Sequence, residues 1–388
     1  MCALREIQRR VPRRALVSFV YWRAKCIKDP VARLRYLRRS VSLWSRLPAT
    51  RTRRSPVLRL ASFALLAFGV LPLPTVVESR DLIPRTPPRI SIPEQPVANV
   101  WQVEQTDTYE IYSNGLRIEK YYSLPPGEPA EFISYSLTTD IPRKSTRPYG
   151  IVFHATESDA FPFDETQNIA LQRAGRGILQ YVRLIRAYHY VIDRFGRVWR
   201  VVPDNEVADH AGNSVWSDEN SLFINLNQSF LGISFEGTTS GNETGQAPIT
   251  PPQIHAGKLL TEMLRSRDGI RERNCITHAQ VSVNPANMGL GYHTDWADHF
   301  PFDQIGLNDN YHIPPPAITL FGFSYDGAFR SRSGERLWRG LDAADAELQQ
   351  LAVAQRTTVP ELRRSLSERY RHLYNRIKEI ENAKEKTH

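Results

Sequence analysis

Tyr149-Gly150-Ile151-Val152-Phe153-His154 is an unbroken apolar run that ends on an imidazole. A short run of this kind, without polar alternation, reads as a buried strand. Two other polar residues stand in comparable settings. His278 follows Cys275-Ile276-Thr277, a second strand-like run. Asp295 lies in Gly291-Tyr292-His293-Thr294-Asp295-Trp296, a loop punctuated by glycine. Two imidazoles and one carboxylate make a common catalytic zinc shell, with the fourth position left for water. An open zinc of this type turns water into a hydroxide-like nucleophile near neutral pH. The plainer alternative is three ordinary polar residues at strand ends.

Outward from this strand the elements alternate. Residues 165–186 predict a helix, with Ile169, Leu171, Ile178, Leu179, Val182 and Ile185 near helical spacing. Residues 188–202 predict a hairpin turning at Arg194-Phe195-Gly196, and 231–235 a short buried strand. Thr250-Pro251-Pro252-Gln253 starts a second helix, with Thr as cap and Pro in the first turn, running to about Asp268-Gly269. A strand over 275–278 follows. The result is an α/β fold with a mixed central β-sheet flanked by helices. Ahead of it, Tyr109 to Tyr122 reads as a hairpin around Asn114-Gly115. These strands either extend the main sheet or form a small module. Behind it, Leu337, Leu341, Leu348 and Leu351 mark one helix. Thr358-Val359-Pro360-Glu361 begins another, with Leu362, Leu366, Tyr370, Leu373 and Ile377 on one face. This tail reads as a helical hairpin that packs or oligomerises.

The motifs resemble those of the type 2 N-acetylmuramoyl-L-alanine amidases and the related peptidoglycan recognition proteins. Ile151 to Glu157 is similar to the family's first-ligand strand, and Ala187 to Val198 to its central hairpin. Asp209-His210-Ala211-Gly212-Asn213 resembles the His-Ala-Gly loop, and Leu231 to Gly237 the Gly-Ile-Ser-Phe strand. Ile276-Thr277-His278 and His293-Thr294-Asp295 resemble the second and third ligand segments. The resemblance spans about residues 148 to 305 and implies the amidase type 2-like fold. It makes His154, His278 and Asp295 the Zn²⁺ ligands. By the same resemblance Tyr188 lies beside the metal, and His210 and Asn213 line the cleft as substrate contacts, with a satisfied structural histidine the equal alternative for His210.

The chain also departs from the family. The interval from His278 to Asp295 is long, so residues 283–290 must loop out, and Asp298 and His299 stand close enough to compete as third ligand. His293 occupies a position where many members carry Lys, two residues before the third ligand. Ser234 falls where some members carry Glu. Glu236, two residues on, shares a strand face with Ser234 and reads as an ordinary carboxylate or a partner to a ligand histidine. His189 alternates with Tyr188 and is expected in the core.

The net charge of +9 conceals an asymmetry: residues 1–59 hold 17 Lys+Arg against 2 Asp+Glu, or +15, which leaves −6 for the remainder. The basicity belongs to an N-terminal arm, so nucleic-acid binding by the whole protein is not implied. Residues 60–77 then form an uncharged apolar run of 18, near the lower limit for a membrane span. Arg51, Arg53, Arg54 and Arg59 precede it and favour a cytoplasmic N-terminus. The expected order is therefore a basic cytoplasmic arm (1–59), a transmembrane anchor or cleaved signal (60–77) and a Pro-rich linker (78–98). A hairpin-containing extension (99–147), a zinc amidase-like domain (148–310) and the helical tail (332–388) follow. The catalytic part would then face the periplasm or cell wall, membrane-anchored or secreted after cleavage. Three dispersed cysteines, Cys2, Cys26 and Cys275, exclude a disulfide scaffold.

The expected reaction is zinc-dependent cleavage of the amide joining N-acetylmuramic acid to L-alanine in peptidoglycan. Tyr188 orients water or hydrogen-bonds the oxyanion, and His293 donates to the tetrahedral intermediate. The competing readings are a non-catalytic peptidoglycan-binding module and a membrane-tethered scaffold.

Overall fold

The computed structural model describes residues 93–158, 161–239 and 249–385. The arm, the apolar run at 60–77 and most of the linker, and with them the expected membrane anchor, lie outside the described residues. In chain order the strands begin with β1 (Gln102–Gln105), β2 (Tyr109–Tyr112), β3 (Arg117–Glu119), β4 (Phe132–Ser136), β5 (Pro142–Ser145), β6 (Gly150–Ala155) and β7 (Tyr190–Ile192). They continue with β8 (Val198–Arg200), β9 (Val215–Ser217), β10 (Ser221–Ile224), β11 (Phe230–Phe235), β12 (Cys275–Thr277), β13 (Val283–Asn284) and β14 (Gly289–Leu290).

Eight of these form one mixed sheet in the order β1-β2-β3-β8-β7-β11-β6-β12. β6 lies between β11 and β12, parallel to both, and all six of its residues are buried. Burial on both faces explains why the run lacks alternation. The Asn114-Gly115 turn joins β2 to β3, and Gly115 takes a left-handed φ of +87°, the conformation such a turn requires. β3 then pairs in parallel with β8, Ile118 opposite Val198. The extension is thus part of the main sheet. A second sheet, in the order β5-β4-β10-β9, lies beside it.

Helix α1 (Asn168–Ile185) turns Leu171, Gly175, Leu179 and Val182 inward. The residues ahead of it, Glu165–Gln167, form a 3-10 turn capped by Asp164, so the predicted helix starts in two pieces. Helix α2 (Pro251–Asp268) begins at a capping box in which Thr250 and Gln253 satisfy each other's backbone. It ends on Gly269 in the left-handed region.

The remaining helices are α3 (His278–Val281), α4 (Pro316–Phe321), α5 (Gly327–Arg332), α6 (Glu335–Ala354) and α7 (Val359–Glu385). The tail packs on its own chain. Leu337, Leu341 and Leu348 of α6, with Leu362, Leu366, Tyr370 and Leu373 of α7, share one apolar cluster with Ile151 and Phe153 of β6. Each fully buried side chain of this size stabilises by about 1.5–3 kcal/mol relative to exposure. The helical pair is therefore an integral wall of the fold.

Candidate metal centre

Parallel pairing brings the ligands together. Thr277 is level with Phe153 across β12 and β6, so His278, one residue on, emerges beside His154. The two rings are 4.5 Å apart. The strand stops at Thr277, and His278 opens the single turn α3, held by a capping box between Thr277 and Gln280. The Gln280 amide also donates to the Asn310 carbonyl at 2.8 Å. Thr277-His278-Ala279-Gln280 carries the Thr-x-x-Gln signature of such a box, and the short apolar run before it obscures that signal.

The long interval to Asp295 resolves into a hairpin. Val283 pairs with Leu290, and the Gly291 amide donates to the Ser282 carbonyl at 2.8 Å. The extra residues project outward and the chain returns Asp295 to the site. Its Oδ1 lies 2.8 Å from His278 Nδ1 and its Oδ2 3.3 Å from His154 Nδ1. His154, His278 and Asp295 each offer one donor atom, all within 4.8 Å of one another. Asp298 and His299, the competing candidates, pair with each other at 2.8 Å, and the His299 side chain is 76% exposed. The residue after Asp295 is strained. Trp296 is fully buried with φ at +58°, a region that costs a non-glycine residue about 1 kcal/mol or more. Its carbonyl accepts the Tyr311 hydroxyl at 2.7 Å, and its ring packs edge-on against Phe235 and Phe300. This packing holds Asp295 in place.

The electrostatics suit a cation. Burial and the neighbouring His278 push His154 down to about 4, so its ring is neutral at physiological pH. Burial alone would raise Asp295, but the adjoining His278 more than reverses this and holds it well below the usual carboxylate range. No Lys or Arg pairs with Asp295 among the described residues.

A hydrogen-bond chain fixes the tautomers. His210 Nε2 donates to the Phe230 carbonyl at 3.0 Å, so His210 Nδ1 accepts from His154 Nε2 at 3.1 Å. The lone pair of His154 Nδ1 then faces the Asp295 carboxylate. Two acceptors facing each other at 3.3 Å call for a cation between them. His278 Nε2 is also buried without a hydrogen-bond partner. Neutral imidazoles and a carboxylate are a zinc donor set, so the residues present fit the ion.

Of the two readings of His210, its geometry favours the satisfied structural histidine: it is buried, and both ring nitrogens are engaged by protein atoms. Gly232 makes room for it, since a β-carbon there would sit 2.6 Å from His210 Cγ. His189 is fully buried, donating to the Glu206 carbonyl and accepting from the Gly232 amide. Asn213 is exposed, and its side-chain oxygen accepts the Tyr374 hydroxyl of α7 at 3.1 Å. Tyr188, half-buried, places its ring 5.1 Å from that of His154. Burial and the charge of Asp295 raise its pKa, so the phenol stays protonated. His293 stacks on His278 at 4.7 Å and remains open to solvent; burial and His278 lower its pKa. Glu236 touches neither ligand histidine. It accepts the Arg194 amide and faces Gly175 of α1. Ser234, level with His154 on β11, has a buried hydroxyl that faces the Tyr188 phenol. Its identity alone gave no signal of a role.

The sequence pattern of the N-acetylmuramoyl-L-alanine amidase family matches residues 144–295, a span that holds all three ligand candidates. These residues carry the pattern of the type 2 N-acetylmuramoyl-L-alanine amidases. Among curated relatives, the N-acetylmuramoyl-L-alanine amidase AmiD of Escherichia coli (strain K12) is 33% identical over 189 residues, covering 41% of this chain and 66% of that protein. The match thus falls just short of two thirds of that relative's length. Two solved structures are also similar. The complex of E. coli AmiD with the substrate anhydro-N-acetylmuramic acid-L-Ala-D-gamma-Glu-L-Lys is 19% identical at a TM-score of 0.34, covering 53% of this chain and 90% of that one. Drosophila peptidoglycan recognition protein SD is 19% identical at a TM-score of 0.27, covering 43% and 85%.

Proposed function

We propose that this protein hydrolyses the amide between N-acetylmuramic acid and L-alanine in peptidoglycan, using Zn²⁺ held by His154, His278 and Asp295. The observation that carries the proposal is the buried pair of facing acceptors, His154 Nδ1 and Asp295 Oδ2, with no Lys or Arg paired to them among the described residues. The family of residues 144–295 and the activity named for the E. coli relative supply the substrate class. Bound zinc lowers the pKa of water and polarises a carbonyl oxygen.

The chain's own groups do the rest. The Tyr188 phenol, protonated because burial raises its pKa, donates a hydrogen bond to the developing oxyanion. A neutral His293 retains one N–H, which it offers to the tetrahedral oxygen from the solvent side. His210 holds a proton on His154 Nε2 and so keeps His154 Nδ1 free as a ligand.

The proposal includes an exported catalytic part behind the run at 60–77, which rests on the sequence alone. Among the described residues no helix is long and apolar enough to cross a membrane. Fusions of a periplasm-dependent reporter after residue 98 test this, and reporter silence would refute it.

The activity is tested by incubating the full chain with purified peptidoglycan. Free stem peptides should appear, vanish with chelator and return with zinc. A second reading, a recognition module, draws on the departures at Ser234 and His293. Retention of peptidoglycan without peptide release would favour it.

A further inference from the structure

Helix α1 carries three arginines and no acidic residue. Its buried side chains are Leu171, Leu179 and Val182, with Gly175 between them. At 3.6 residues per turn the opposite side presents Ile169, Arg173, Gly177, Gln180 and Leu184. All five are exposed, Ile169 by 74% and Leu184 by 78%. Arg176 and Arg183 flank this ridge on one side and are exposed too. Tyr181 flanks it on the other, near enough to Tyr188 for its charge to raise that phenol's pKa. The Tyr181 flank therefore borders the metal centre, and the arginine flank lies on the far side of the helix from it.

These arginines are uncommitted. Arg267, Arg330, Arg363 and Arg369 elsewhere in the fold all pair with carboxylates. Arg186, just past the helix, pairs with Glu206 at 2.6 Å. Arg173, Arg176 and Arg183 make no ion pair among the described residues. Arg176 Nε donates to the Gln172 carbonyl of its own helix at 3.2 Å, which leaves its charge unmatched. The nearest acids in sequence, Asp164 and Glu165, precede the helix, where negative charge suits the N-terminal end.

The ridge ends in aliphatic side chains. Ile169 and Leu184 are 15 positions apart on α1, about 22 Å along its axis, with the arginines between them. One exposed apolar residue alone needs no explanation. A basic strip bounded by branched aliphatic chains on one helix face matches a helix lying in the plane of a bilayer interface. Other occupants fit less well. A second copy would set arginine against arginine. The arm at residues 1–59 has the same sign of charge, with 17 basic against 2 acidic residues. A nucleic acid calls for aromatic side chains on which bases stack, and the ridge has none. Outside the arm the chain is net negative, so a basic ridge on an acidic body turns α1 toward a negative surface.

We propose that the outer ridge of α1 docks peripherally on an anionic phospholipid bilayer. Arg173, Arg176 and Arg183 meet headgroup phosphates, a match of guanidinium to phosphate, and Ile169 and Leu184 reach the acyl boundary. This surface is separate from the run at 60–77, and the proposal does not depend on amide cleavage.

The arm and the run at 60–77 can hold the full chain on a vesicle unaided, so the readout must be local. Hydroxyl-radical oxidation of Ile169 and Leu184 in the full chain, mapped by mass spectrometry, supplies it. The chain is mixed with vesicles of phosphatidylcholine alone or of phosphatidylcholine with phosphatidylglycerol. Val353 on α6, 74% exposed, is the internal reference. Vesicles with phosphatidylglycerol should lower oxidation of Ile169 and Leu184 several-fold and leave Val353 unchanged. Phosphatidylcholine alone should lower neither. Protection should fade in about 1 M salt, where the screening length is about 3 Å. The triple variant Arg173→Gln, Arg176→Gln, Arg183→Gln keeps good helix formers. Its lipid concentration for half protection should rise about 100-fold, at roughly fivefold per arginine. Unprotected Ile169 and Leu184 on the anionic vesicles would overturn the proposal. So would equal protection by the two lipid mixtures, or protection undiminished in the triple variant. Protection that grows with chain concentration without lipid, or that duplex DNA supplies in place of vesicles, would assign the ridge to another partner and overturn it as well. Thermal unfolding of the variant checks that the fold is kept.

Discussion

Toward the two edges of one sheet lie two buried clusters of charge, and they are settled differently. On the β2-β3-β8-β7 side, Arg200 donates to Glu110 at 2.7 Å and reaches Asp204 at 3.4 Å, while Arg267 donates to Asp204 at 2.6 Å. Tyr190 and Tyr112 add hydroxyl donors to Asp204 and Glu110. Acid is matched by base. On the β6-β12 side, Asp295 has two imidazoles and no Lys or Arg among the described residues, one imidazole lone pair faces it, and another nitrogen is orphaned. Buried charge is normally paired or metal-bound. The first cluster is complete without help and reads as structure. The second is short of one cation and reads as a site.

Substitution can break this contrast, and the largest effect should come from Asp295→Ala. It should lower amide cleavage by at least about 10³-fold, on the order of 4 kcal/mol of barrier, and remove zinc from the purified protein. Zinc at a hundredfold excess over its dissociation constant should stabilise the wild type by about 2.7 kcal/mol and leave the variant unmoved. One equivalent of zinc retained by Asp295→Ala, measured by elemental analysis, would sink the assignment.

Asp204→Ala should show the reverse pattern. Removing one partner of a buried ion-pair network destabilises by about 3–5 kcal/mol, so the denaturation midpoint should fall while zinc per folded chain stays the same. A variant that unfolds no earlier but loses zinc would erase the distinction between the clusters. His210→Ala falls between them. Groups that orient a metal-bound histidine typically change affinity or activity by about 10–100-fold, so zinc affinity should drop by that factor while the fold persists. Unchanged affinity would show that the chain Phe230–His210–His154 does not set the tautomer.

Much of this was legible in the sequence because it is local. The apolar run at 149–153, the Asn114-Gly115 turn and the Thr250-Pro251 start each state their conformation within a few residues. So do the types of the three ligands. What was hidden depends on partners far along the chain. Ile118 meets Val198 only once the sheet is assembled, which is why the extension could not be assigned to it. His210 turns inward because Gly232, on another strand, leaves room for its ring. A histidine in a polar loop gives no sign of that, and it reads equally well as a substrate contact. The charge balance around Asp204 and around Asp295 is likewise a property of assembled neighbours.

Glu236 supplies a third case, a buried carboxylate with no close ion pair among the described residues, only the more distant charges of Arg194 and Arg197. It is 4% exposed, and its recorded hydrogen bond comes from the Arg194 amide at 3.1 Å. Burial pushes it up to about 7 from an ordinary 4.5; the Arg194 amide and the charges of Arg194 and Arg197 oppose the shift, and Asp193 adds to it. Its charge is thus relieved by a proton, the remaining way to bury an acid. The folded state then holds a proton that the unfolded state has already lost between pH 4.5 and 7. Stability must fall as pH rises through that window, by up to about 1.4 kcal/mol per unit. Above the window the deficit is fully present, and below it absent. Glu236→Gln keeps an acceptor for the Arg194 amide and removes the ionisation. At pH 8 the variant should be more stable than the wild type by about 1–3 kcal/mol, and at pH 4 the two should converge. Denaturant titrations at both pH values measure this difference directly. A variant that is less stable at pH 8 would mean that the ionised carboxylate is accommodated by a base after all, and Glu236 would then join the paired cluster in the comparison.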